Sequence, residues 1–101
     1  MTVNMIIRRK GDHEDPRLEA LRQEGVPLLM KHGALSHRFG YYQSGAHAGQ
    51  ILIVLSYPDL AAHERAMKSM ASDPDWTRVS AAVDAIAPLQ ESYLTVVTEE
   101  R

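Results

Sequence analysis

The chain contains no cysteine. Disulfides, a thiolate nucleophile and zinc sites built on cysteine sulfur are therefore excluded, while the redox compartment stays undecided. No apolar run approaches the ~20 residues that cross a bilayer, and Met1-Thr2-Val3-Asn4 lacks the charged and apolar regions of a secretory signal. The expectation is a cytoplasmic protein with no membrane partner. An excess of either charge is missing too: 11 Lys and Arg stand against 13 Asp and Glu, so no basic field exists to attract nucleic acid. The one basic run, Arg8-Arg9-Lys10, falls where a first strand should end and is expected to be a solvated strand end. G-x-S-x-G, G-x-x-x-x-G-K and G-x-G-x-x-G are all absent, which sets aside serine hydrolases and nucleotide enzymes of those classes.

What is present is an ordinary globular balance, 45% hydrophobic and 24% charged over 101 residues, read as one domain spanning 1–101. A strand-like opening (Val3 to Arg9) precedes a helical stretch (Pro16 to His32) and two strand-like runs (Leu35 to Gln43, Gln50 to Tyr57). More helix (Leu60 to Ile86) and a final strand (Ser92 to Thr98) follow, before the charged tail Glu99-Glu100-Arg101. Asp15-Pro16, Pro58-Asp59 and Asp73-Pro74 carry helix-start chemistry, since Asp caps free amides and Pro needs no amide of its own in the first turn. The last of these restarts a helix in a new direction. Pro27 predicts a kink or short break near Gly25, and Gly33 ends the first helix, leaving His32 as a helix-end residue. The small residues Ser44 to Gly49 suit a hairpin, so the flanking strands are antiparallel neighbours.

The run Ile51-Leu52-Ile53-Val54-Leu55 has no polar side, although a sheet covered on one face should alternate. The second face needs a cover that so short a chain has no segment left to supply. A second copy of the chain, giving a homodimer, is the expected source.

Five histidines, 13, 32, 37, 47 and 63, are the only imidazoles. His63-Glu64 begins like the H-E-x-x-H zinc helix, but Met67 stands where the second ligand belongs, and no other pair has ligand spacing within one element. No metal and no cofactor are expected, although haem held through one histidine would escape this argument. His37 shares a strand face with Leu35, Phe39 and Tyr41 by alternation. If that face lines a dimer interior, His37 is the candidate general base and Tyr41 its hydrogen-bond partner. Phe39, Tyr57 and Trp76 are candidate substrate-binding residues; Tyr57 depends on a hairpin register that the loop leaves open. The alternative for His37 is a hydrogen-bonded core or interface histidine, and for Trp76 a packing anchor. Met67 and Met70 read as core filler that could also flank a flexible pocket.

Val26-Pro27-Leu28-Leu29, His32-Gly33-Ala34, Gly40-Tyr41-Tyr42 before Gly45, Tyr57-Pro58-Asp59-Leu60, Arg65 and Asp73-Pro74-Asp75-Trp76 together resemble the dimeric α/β-barrel superfamily. Within it the likeness is to NIPSNAP-like domains. The resemblance implies an α+β, ferredoxin-like β-α-β-β-α-β unit with a four-stranded antiparallel sheet that forms a dimeric α/β barrel. It also implies a small apolar pocket between sheet and helices. The functions it implies range from cofactor-independent monooxygenases and isomerases acting on small aromatic or polyketide-like molecules to non-enzymatic binding or interaction modules, and fold alone does not choose among them.

Overall fold

The computed structural model of the chain describes residues 1–99; Glu100 and Arg101 of the charged tail lie outside the described residues. The elements are β1 (Thr2–Arg9), α1 (Pro16–Lys31), β2 (Ser36–Tyr41), β3 (Ile51–Tyr57), α2 (Leu60–Ala71), α3 (Pro74–Ile86) and β4 (Leu89–Val97). All strand pairs are antiparallel, in the order β2-β3-β1-β4, which is the ferredoxin-like α+β arrangement with its second helical segment divided in two. Asp15 accepts a hydrogen bond from Arg17 N, Asp59 from Ala62 N and Asp73 from Asp75 N, so each predicted aspartate satisfies an amide that the first helical turn leaves free.

α1 runs unbroken through Pro27, so of the expected kink or short break the break does not form. A proline costs one backbone bond and some steric strain, and here the flanking turns are held by burial of Leu18, Gly25 and Leu29. Gly25 has another role: a Cβ there would lie 3.3 Å from Val79 Cγ1 and 3.9 Å from Trp76 Cζ3, so the missing side chain is what lets α3 approach α1 closely. The strand β4 also starts earlier than the alternation suggested, at Leu89, because pairing resumes past an irregularity between Arg8 and Arg9.

The register, open in the sequence, places His37, Leu55, Met5 and Leu94 in one row across the sheet, and Phe39, Ile53, Ile7 and Ser92 in the next. Both rows face the helices. Val3, Leu29, Leu55, Tyr57, Ala66 and Met70 form the main core there, and Leu18, Ile51 and Ala87 a second cluster. The opposite face carries the row Arg38, Val54, Ile6 and Tyr93, with Leu52 beside it. A body of 35 × 33 × 18 Å has the thickness of one sheet and one layer of helices. Val54, Ile6 and Leu52 are accordingly only half-buried, and Tyr93 is 44% exposed.

Two expectations about basic and imidazole side chains are corrected. Arg8 and Arg9 are not a solvated strand end. Arg8 donates to Gln50 Oε1 at 2.6 Å and Glu91 Oε2 at 3.1 Å, Arg9 to Asp84 Oδ1 at 2.6 Å and the Ala87 carbonyl at 3.0 Å, and both side chains are 13% exposed. His32 does more than end α1: its ring meets Ser69 Oγ at 2.6 Å and Asp73 Oδ2 at 2.7 Å, tying α1 to the elbow between α2 and α3. Asp73 is held down at about 2, first by this histidine bond and further by the Asp75 amide and the nearby Lys31 ammonium.

Candidate functional site

The alternation of β1, β2 and β3 and the helical spacing of α1 and α3 converge on one cavity of about 260 Å³ between sheet and helices. Its floor is Met5, Ile7, Ile53 and Leu55. On the β2 side stand His37 and Phe39, under Leu18, Leu21 and Arg22 of α1. Trp76, Val79, Ser80 and Val83, at helical spacing, bring one stripe of α3 over it, and Met67 and Met70 close the α2 end. Leu89, half exposed, and exposed Ser92 form the rim along β4.

His37 is half-buried in this wall, and burial first, then the positive charge of Arg22, pushes its pKa below the free imidazole value. Among the described residues its ring makes no hydrogen bond to another side chain. A neutral imidazole is therefore presented to a largely apolar space, the state a proton acceptor requires. The Arg22 guanidinium carbon sits 5.4 Å from the centre of the Phe39 ring, while its Nε and Nη2 bond Glu19 at 2.8 Å each.

The remaining sequence candidates separate. Phe39 and Trp76 line the cavity with His37. Tyr41 does not join them: it lies on the same strand face but past the end of the cavity, 49% exposed, stacked on His13 with ring centroids 4.3 Å apart. Tyr57 is fully buried in the core, edge-on to His63 at 5.2 Å; its hydroxyl has no hydrogen-bond partner among the described residues and burial raises its pKa. The condition attached to His37 also changes. Its face is covered by the chain's own helices, and the face left open is the Ile6 and Val54 side.

Arg22, Ser80 and Ser92 are the polar wall residues that the sequence reading passed over. Signals for them existed: Arg22 stands four residues after Leu18 and three before Gly25, Ser80 four after Trp76, and Ser92 alternates with Leu94. No group of three or more His, Asp or Glu side chains with metal-binding geometry occurs among the described residues. No helix among them is long and apolar enough to cross a membrane.

The same architecture recurs in solved structures. SnoaB, a cofactor-independent oxygenase from Streptomyces nogalater, superposes with a TM-score of 0.73 at 15% identity, over 98% of this chain and 95% of that one. An uncharacterized NIPSNAP domain protein from Burkholderia xenovorans gives a TM-score of 0.75 at 22% identity, over 97% and 95%. A NIPSNAP family protein of unknown function from Agrobacterium tumefaciens gives 0.70 at 12%, over 99% and 89%. Identities this low show a shared ferredoxin-like α+β fold and not shared chemistry. No curated protein matches the chain. Its sequence from residue 7 to residue 90 matches one family model, and the chain belongs to that family, the Domain of unknown function (DUF6854).

Proposed function

We propose that the protein binds a small aromatic molecule in the cavity beneath α1 and α3 and acts on it without metal or cofactor, as a monooxygenase or isomerase. The observation that carries this reading is the neutral His37, without a side-chain hydrogen bond among the described residues, in the wall of a largely apolar cavity. SnoaB, described as a cofactor-independent oxygenase, supports the oxygenase form by fold. In that form His37 takes the proton of a phenol, dioxygen is the oxidant, and the ring carbon para to the oxygen forms the new C–O bond. The hydroperoxide so formed loses water to leave the quinone. With 1-naphthol and dioxygen the products are 1,4-naphthoquinone and water, which balances without a reductant. Tyr41 has no part in this site, so the base acts with Arg22 and Phe39 as neighbours.

The test is oxygen uptake and quinone absorbance with 1-naphthol and its hydroxylated relatives, for the protein and for His37→Ala. Turnover lost in the variant supports the reading. Binding without turnover in either protein favours the rival, a non-enzymatic NIPSNAP-like binding module, which the displacement of Tyr41 from the cavity also favours.

The proposed assembly is a homodimer with the Ile6 and Val54 faces of two copies packed together. Its support is the uncovered apolar row on a chain that has helices on its other face only.

A further inference from the structure

The cavity wall is unbalanced in charge and in hydrogen-bonding sense. The charged side chains that line it are two arginines, Arg9 and Arg22, while their carboxylate partners Asp84 and Glu19 lie outside the lining. Glu19 occupies Nε and Nη2 of Arg22 and leaves Nη1 unengaged. The hydroxyls of Ser80 and Ser92 have no side-chain partner among the described residues. Arg22 Nη1 and the two serine hydroxyls thus stand as donors around an apolar floor that holds no Asp or Glu, so the lining offers donors to an anion and no carboxylate to a cation.

The donors are also divided in space. Arg22 and His37 stand at β2, whereas Ser92 stands at β4. Three interstrand steps separate those strands, about 14 Å between backbones, and Ile53 and Ile7 form the apolar floor between them. A volume of about 260 Å³ is below the roughly 300–1,000 Å³ of drug-sized sites.

From this arrangement we propose that the site selects a flat molecule of one or two rings with an anionic or carbonyl oxygen directed at Arg22 and His37, accepts a second oxygen toward Ser92, and rejects cations and longer fused-ring systems. The inference rests on the small-molecule reading above and adds charge, size and orientation to it. Arg22 is the specificity-determining residue, because its unengaged nitrogen meets the ligand while Glu19 fixes the plane of its guanidinium.

Calorimetric titration with 2-naphthoate, 2-naphthol, 2-naphthylmethylammonium and anthracene-2-carboxylate tests it. The expected order has naphthoate at least about ten-fold tighter than the ammonium probe and no binding of the anthracene acid. Arg22→Gln should weaken naphthoate by about ten-fold and leave 2-naphthol within about three-fold, and Arg22→Lys should keep the preference for the anion. Melting curves of both variants check that the exposed Glu19 pair was not needed for folding. Equal binding of the ammonium probe, or an equal loss for naphthoate and naphthol in Arg22→Gln, overturns the selectivity while leaving the cavity a binding site. Absence of binding by all four probes overturns the small-molecule reading and this inference together.

Discussion

His37 is the residue on which the chemistry turns, and its environment makes the two roles considered for it separable. Among the described residues it makes no side-chain hydrogen bond to another residue, and it is only partly buried, so His37→Ala should cost less than about 1 kcal/mol in urea unfolding, against about 1–3 kcal/mol for a buried bonded imidazole. Ligand binding or turnover should fall sharply in the same variant. Its depressed pKa also fixes a pH dependence. The stability linked to neutral His37 is fully present above the free value of 6.5 and is lost as pH falls through the lower folded value, so the acid limb of activity should lie below 6.5. An acid limb centred above 6.5 would contradict this. Gly25 supplies a second residue-level expectation. Gly25→Ala gains about 0.5–1 kcal/mol of helix propensity, and Val79, which borders the cavity, has space into which to shift from the 3.3 Å contact. Stability should therefore stay within about 1 kcal/mol of the parent while affinity for a two-ring ligand declines, both readable by unfolding and calorimetry.

Among elements, the elbow between α2 and α3 is the joint that aims Trp76, Val79 and Ser80 at the cavity. Asp73 serves it three ways, capping α3, bonding His32 at the end of α1 and lying 3.5 Å from the Lys31 ammonium. Asp73→Ala should lower Tm by at least roughly 4–8 °C, the scale of one lost cap in a domain of this size, since the His32 bond is lost with the cap, and should blunt ligand affinity because α3 loses its tether. With its pKa held at about 2, the contribution of Asp73 is complete above the free value of 3.8 and disappears as pH falls through about 2. Melting curves at pH 7 and pH 2 should therefore converge for parent and variant at the acid end. The joint was half legible in the sequence. Asp73-Pro74 announced a new helix because capping is local chemistry, whereas the pairing of His32 with Asp73 crosses 41 residues and has no periodic trace.

The molecule as a whole has one finished face and one unfinished face. Ile6, Val54 and Leu52 on the open side stand where a second sheet would pack about 10 Å away, so sedimentation equilibrium at low micromolar concentration should return a dimer. Val54→Glu should shift that equilibrium to monomer while keeping the far-ultraviolet dichroism of the fold, since the substitution lies opposite the helices. A folded monomer of the unmodified chain at that concentration would refute the paired-sheet assembly.

The element order, the three aspartate caps, the hairpin and the two-sided apolar third strand were determined by the sequence alone, because capping, turn chemistry and hydrophobic period act over a few residues. Tertiary structure decided what depended on distant partners. It put the His37 face beneath the helices, with Leu55 opposite His37, and left Tyr41 beyond the cavity on His13. It kept α1 continuous through Pro27, because packing along the helix outweighs one lost bond. The cavity itself was decided there as well. Gly25 announces flexibility in a sequence, but against Val79 and Trp76 it sets how closely two helices approach, and that spacing, together with the strand register, shapes the space that a ligand would fill.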